Sequence, residues 1–166
     1  GLCRPAPGDL RGTLDPPPVS FRVLTLLDEY SFKLSIRVRF RDTDMMGHVN
    51  NAVYLTYFEA GRIEYWISLT GDPSLEDLPF ILARTEIDFL AEVRAAEQLT
   101  LGVRAGRLGN KSFDLEYLLV RDGDETPVAS GRSVQVMFDY ESKRAQPLDD
   151  ETRRMIGEFE GARGAG

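Results

Sequence analysis

Hydrophobic and polar positions fall into a regular order from residue 33 onward. Leu34, Ile36, Val38 and Phe40 alternate with Ser35, Arg37 and Arg39. A period of two predicts a strand over 33–40 with one buried face. A polar stretch, 41–50, interrupts the pattern. From Asn51 to Leu69 the apolar residues recur at helical spacing: Val53, Leu55, Tyr57, Phe58, Ala60, Ile63, Trp66, Ile67 and Leu69. Asn50 or Asn51 supplies an N-cap, and Thr70 to Pro73 a stop. With apolar side chains on most sides, this helix expects cover nearly all round. Four further strands are predicted over 80–93, 97–108, 112–121 and 127–140, with turn residues at Gly109 and Asn110 and at Asp122, Gly123 and Asp124. A short helix over 149–159 closes the pattern. The fold class is α+β: a five-stranded antiparallel sheet wrapped round one long central helix, with a short C-terminal helix.

Composition bounds the rest. The chain has 166 residues, 42% apolar and 28% charged, enough for one domain with its own core. Residues 1–29 read as a loosely ordered tail, with Pro5, Pro7, Pro16, Pro17 and Pro18 and no secretory h-region. A single domain spans 30–160, and 161–166 form a second tail rich in glycine and alanine. No stretch approaches the roughly 20 apolar residues of a membrane helix. The single cysteine, Cys3, excludes an intrachain disulfide and suits a reducing, cytoplasmic setting. A net charge of −7 without a basic cluster argues against nucleic acid as a partner.

The densest chemistry lies between the first strand and the long helix. Asp42, Asp44, His48, Asn50 and Asn51 fall within ten residues, and His48 is the one histidine of the chain. A carboxylate ahead of a helix start stands near unpaired N–H groups at the positive end of the dipole. Such donors can hold an oxyanion while the carboxylate attacks a carbonyl or activates water. The same residue types also cap helices. A calcium loop would place ligands where Met46 and Val53 stand, and zinc would need more nitrogen or sulfur than one histidine supplies. No metal and no cofactor is expected. A nucleophile elbow of the Gly-x-Ser-x-Gly type does not occur.

The run from Arg39 to Glu59, RFRDTDMMGHVNNAVYLTYFE, resembles the signature of the 4-hydroxybenzoyl-CoA thioesterase-like family of hot-dog proteins. The likeness extends over the element order from about Tyr30 to Tyr140. It implies a hot-dog fold and an acyl-CoA thioesterase that releases free acid and CoA. Asp44 would be the catalytic carboxylate, as nucleophile or as general base, and Asn51 would supply an oxyanion N–H. The segment Lys111, Ser112, Phe113 is similar to one that contacts CoA phosphate in the family, which makes Lys111 and Ser112 substrate-binding candidates beside His48 and Asn50. The sequence departs from the 4-hydroxybenzoyl enzymes at His48, Asn50 and Asn51, so their substrate does not transfer. The resemblance further implies a homodimer or homotetramer, with the site between subunits. Acyl-CoA and an acyl-carrier-protein thioester are both substrates of the implied class.

Two other functions fit the same fold. Enoyl-CoA hydratases place Asp and His five apart around Asn-Pro, whereas here Asp44 and His48 are four apart, Asp42 and His48 are six apart, and no Asn-Pro intervenes. A non-catalytic acyl-CoA-binding module is the other alternative; the segment before Lys33 carries no helix-turn-helix pattern and no basic cluster. Glu59 is expected to pair with Arg62 or Arg94, and Tyr54, Tyr57, Tyr65 and Trp66 to belong to the core or an interface.

Overall fold

The computed structural model describes residues 26–74 and 78–162, so of the tails expected over 1–29 and 161–166, residues 1–25 and 163–166 lie outside the described residues. The elements are β1 (Phe32–Arg37), a 3-10 turn (Phe40–Asp42), α1 (Asn51–Thr70), β2 (Phe80–Phe89), β3 (Gln98–Leu108), β4 (Ser112–Arg121), β5 (Pro127–Asp139), β6 (Arg144–Ala145) and α2 (Asp150–Gly161). The main sheet runs β1-β3-β4-β5-β2 with antiparallel neighbours throughout, and β6 adds a two-residue pairing to β5. The strands β3, β4 and β5 lie inside the sheet, while β1 and β2 form its edges.

Helix α1 starts where the Asn50 side chain accepts the Ala52 N–H at 2.9 Å. It stops at Gly71, whose φ of 72° is the left-handed conformation that glycine adopts without a steric penalty. One stripe of the helix, including Tyr54, Tyr57, Phe58, Tyr65 and Trp66, is buried on the sheet. The approach is close at Gly61, where a Cβ would stand 2.5 Å from Leu101 Cδ2. One turn earlier, Phe58 stacks on Tyr117 with ring centroids 4.4 Å apart. Helix α2 is tied across the edge of this core by Glu160, whose Oε1 accepts from Tyr65 O–H at 2.6 Å and from the Ala105 N–H at 2.7 Å.

Several expectations need correction. The packed unit begins before Tyr30, because Leu27 is buried against the sheet. The first strand ends at Arg37, since Phe40 to Asp42 coil into a 3-10 turn that leaves Phe40 87% exposed. The strand expected over 80–93 ends at Phe89. There the N–H groups of Leu90 and Ala91 both donate to Val128 O, which uses up the ladder and turns the chain away. A register shift between Leu82 and Arg84 adds a bulge to that strand. Among the described residues the five expected strands make the main sheet, and the two-residue β6 is added to them. Within one chain α1 is covered on one side only: Leu55 is 47% exposed, and Glu59 and Ala60 face outward.

Candidate active site

Asp42 is the anchor of the loop between β1 and α1. It is buried, its carboxylate accepts the Arg39 N–H at 2.8 Å and the Tyr57 O–H at 3.0 Å, and its carbonyl accepts the Asn50 N–H at 2.9 Å. Burial pushes the Asp42 carboxyl up, but the Arg39 N–H, the Tyr57 hydroxyl and the Arg39 guanidinium together outweigh it and hold it below the usual carboxylate range. Burial and the same hydrogen bond push the Tyr57 phenol upward. The pair therefore stays as carboxylate and neutral phenol, and it fixes the loop to the first turns of α1.

Beyond Asp42 the chain forms a tight hairpin. Thr43 bridges to Val49, Asp44 N–H donates to His48 O at 2.8 Å, and Gly47 N–H donates to Asp44 O at 3.0 Å. Gly47 takes a φ of 79°, which explains a glycine at that corner. Asp44 Oδ1 accepts from the Met46 N–H at 2.8 Å and the His48 N–H at 3.3 Å. Its Oδ2 accepts no hydrogen bond among the described residues. One oxygen thus orients the carboxylate and the other is available to a reactant.

A cavity of about 360 Å³ opens beside this loop, lined by Asp44, His48, Asn51 and Tyr54 from the loop and helix and by Phe89 and Glu92 from the end of β2 and beyond it. Asn51 is the first residue of α1, and its N–H has no hydrogen-bond partner among the described residues. It lies at the positive end of a 20-residue helix. The cavity therefore joins an oriented carboxylate, an unpaired backbone donor and an apolar wall. That combination can bind a carbonyl oxygen at Asn51 and bring a carboxylate to the adjoining carbon.

His48 forms the other wall. Its Nε2 lies 2.9 Å from Glu92 Oε2 and 3.4 Å from Arg94 Nη2, while Arg94 Nη2 donates to Glu92 Oε1 at 3.1 Å. One nitrogen cannot both donate to Glu92 and accept from Arg94. The shorter contact fits an Nε2–H donated to Glu92, with Arg94 held near by charge. The hydrogen bond from Arg94 and the charges of His48 and Arg94 lower the Glu92 carboxyl below its ordinary value. Glu92 and Arg94 were not expected at the site. They stand 44 and 46 residues from His48, and no local pattern connects them to it.

Three expected substrate contacts are placed differently. The Asn50 side chain caps α1 and does not line the cavity. Lys111 and Ser112 lie at the β3–β4 turn, at the opposite end of the sheet. Ser112 is level with Val136 and Ile81, whereas the cavity adjoins Phe89, which is level with Ala129. Eight residues along β2 separate those levels, about 26 Å at strand rise, so Lys111 and Ser112 do not meet Asp44 within one chain. Glu59 lies 4.0 Å from Arg62, and Arg94 pairs with Glu92 instead. Among the described residues, no group of three His, Cys, Asp or Glu side chains is placed to hold a metal ion.

Residues 38–156 match the model of the Thioesterase-like superfamily. The chain is 32% identical over 127 residues to the uncharacterized protein YsmA of Bacillus subtilis, covering 76% of this chain and 86% of that protein. It is 25% identical over 126 residues to the long-chain acyl-CoA thioesterase FadM of Escherichia coli, covering 73% and 93%. Among solved structures, a thioesterase from Thermus thermophilus complexed with coenzyme A and Zn superposes with a TM-score of 0.73 at 35% identity. That match covers 80% of this chain and 96% of the other.

Proposed function

Because the chain belongs to the thioesterase-like superfamily, matched over residues 38–156, we propose that it hydrolyses acyl-CoA thioesters to the free acid and CoA, with Asp44 as the catalytic carboxylate. One observation carries this reading: Asp44, with a free carboxylate oxygen, and Asn51, with an unpaired N–H, line the same cavity. The thioester oxygen accepts the Asn51 N–H, where the helix dipole stabilises the charge that develops on it. Asp44 then attacks the carbonyl carbon or takes a proton from a water that does so. In both routes the C–S bond breaks and CoA leaves with its sulfur; when Asp44 attacks, its oxygen becomes the second oxygen of the acid and water restores the carboxylate, whereas a water activated by Asp44 supplies that oxygen directly. His48, fixed by Glu92, shapes the wall opposite the apolar side.

The working unit is a dimer or a multiple of one. Strand β2 is an edge and carries the exposed Ile81 and Leu82, and Leu82 lines one cavity with the exposed Leu55 of α1. An unpaired apolar edge of this kind calls for cover by another chain. A two-fold pairing of β2 with a second β2 sets Phe89 of one chain beside Phe80 of the other. It brings Lys111 of the partner subunit to the cavity end, where its ammonium can reach the CoA phosphates. The 26 Å separation within a chain, about eight residues of strand, is then no obstacle.

The test is thiol release across an acyl-CoA panel with Asp44→Asn as the control. Turnover is expected to fall by about 10² to 10⁴ in a protein that remains folded. Near-full activity in folded Asp44→Asn would refute the assignment. Single turnover in oxygen-18 water, followed by mass analysis of Asp44, separates attack from water activation.

A further inference from the structure

The Asp44 cavity ends against a pair of aromatic rings. On α1 its lining goes from Asn51 to Tyr54 and stops there, and Phe89, the last residue of β2, is the residue of that strand that lines it. Tyr54 and Phe89 stand against each other in an edge-to-face contact, with ring centroids 5.1 Å apart and planes at 76°. The next hollow between helix and strand, of about 160 Å³, begins at Leu55 on α1 and at Thr85 on β2, and neither ring borders it. The ring pair stands between the two spaces and closes the first.

Both rings are held from behind. Tyr54 is 3% exposed and packs edge-on against Tyr57 with centroids 6.2 Å apart, and Tyr57 is tied in turn to the buried Asp42. The backbone of Phe89 is level with Ala129 in the sheet, and the next N–H, of Leu90, donates to Val128 O at 2.9 Å. Phe89 is the less confined of the two, 49% exposed at the end of an edge strand. Tyr54 is a fixed wall, and Phe89 is the ring that a substitution can resize without opening the core.

The position of the pair sets a length. A thioester oxygen at the Asn51 N–H starts the acyl chain at the first residue of α1. From Asn51 to Tyr54 is three residues of helix, about 4.5 Å. An extended chain advances about 3.4 Å for every three bonds, so about four carbons beyond the carbonyl bring it to the rings. Up to that point each methylene leaves water for an apolar wall and adds about fourfold to affinity. Beyond it the rings stand in the way, and a further methylene that turns back into water adds nothing. We propose that Tyr54 and Phe89 determine the acyl length, and that the protein takes short-chain thioesters whose acyl group ends at about six carbons. The inference rests on the proposed function for the placement of the thioester between Asn51 and Asp44.

Binding tests it apart from turnover. Non-hydrolysable S-(2-oxoalkyl)-CoA thioethers, which keep a carbonyl oxygen for Asn51, are titrated calorimetrically in a series of increasing chain length up to the dodecyl homologue. The full protein is compared with Phe89→Ala and Phe89→Trp. In the wild type, affinity is expected to rise about fourfold per methylene and to level off near six carbons. Phe89→Ala should move the break to longer chains and Phe89→Trp to shorter ones. An affinity that keeps rising to the dodecyl homologue in the wild type would overturn the proposal and assign the acyl chain to the surface between subunits. A break at the same length in all three proteins, or binding of no analogue, would overturn it as well. A break at the expected length, shifted by the variants, with no thiol released from any acyl-CoA would count against the hydrolase reading alone.

Discussion

Replacing Tyr57 with Phe removes one O–H from the buried Asp42 carboxylate and leaves the ring in place. The two groups are 3.0 Å apart, and Asp42 also accepts the Arg39 N–H at 2.8 Å. A hydrogen bond to a charged group contributes about 1.5–3 kcal/mol. Tyr57→Phe should therefore cost about 2 kcal/mol. Asp42→Ala loses every bond to the carboxylate and strands the Tyr57 hydroxyl and the Arg39 N–H, so about 3–4 kcal/mol is expected. In the double variant the Tyr57–Asp42 bond is lost only once, giving a coupling of about 1.5–2 kcal/mol. Urea unfolding of the four proteins measures it. The pH dependence has a definite sign. The folded Asp42 carboxyl lies below its ordinary value, so its stabilisation is present above the unfolded value of about 3.9 and disappears as pH falls through the lower, folded value. Asp42→Asn should flatten that acid-side loss. A coupling under about 0.5 kcal/mol, or an acid profile unchanged in Asp42→Asn, would refute the anchor role of this pair.

Gly61→Val should destabilise the fold by about 2–4 kcal/mol on thermal or urea unfolding, because its Cβ meets Leu101 and Val103, and a gain in helix propensity of at most about 1 kcal/mol cannot offset that overlap. Gly61→Ala, with two methyls fewer and the full propensity gain, should fall between wild type and Val. Lys111→Ala should raise KM for acyl-CoA more than it lowers kcat, and the difference should vanish with a pantetheine thioester that lacks the nucleotide. Light scattering should give at least twice the 18.6 kDa chain mass, and a fully active monomer at low concentration would refute a site shared between subunits.

Local patterns determined much of this protein. The helix from Asn51 and the strands β3, β4 and β5 appear at nearly their observed limits, since side-chain period and cap residues act within a few residues of one another. The position of Asp44 ahead of a helix start is local in the same sense, and so is the glycine at the corner of its loop. What local patterns could not show depended on strand register and packing. Lys111 is removed from Asp44 by the pairing of β4 with β5 and β2. Asn50 is drawn into the cap, which leaves the Asn51 N–H to the cavity. Glu92 reaches His48 because Val49 N–H donates to Val93 O across 44 residues of chain. Arg62 of α1 and Thr85 of β2 line one cavity, although each looks ordinary in the sequence. Tertiary structure alone decided these features, because side chains far apart in sequence acquire a common site only when antiparallel register and the close approach of α1 to the sheet bring them together.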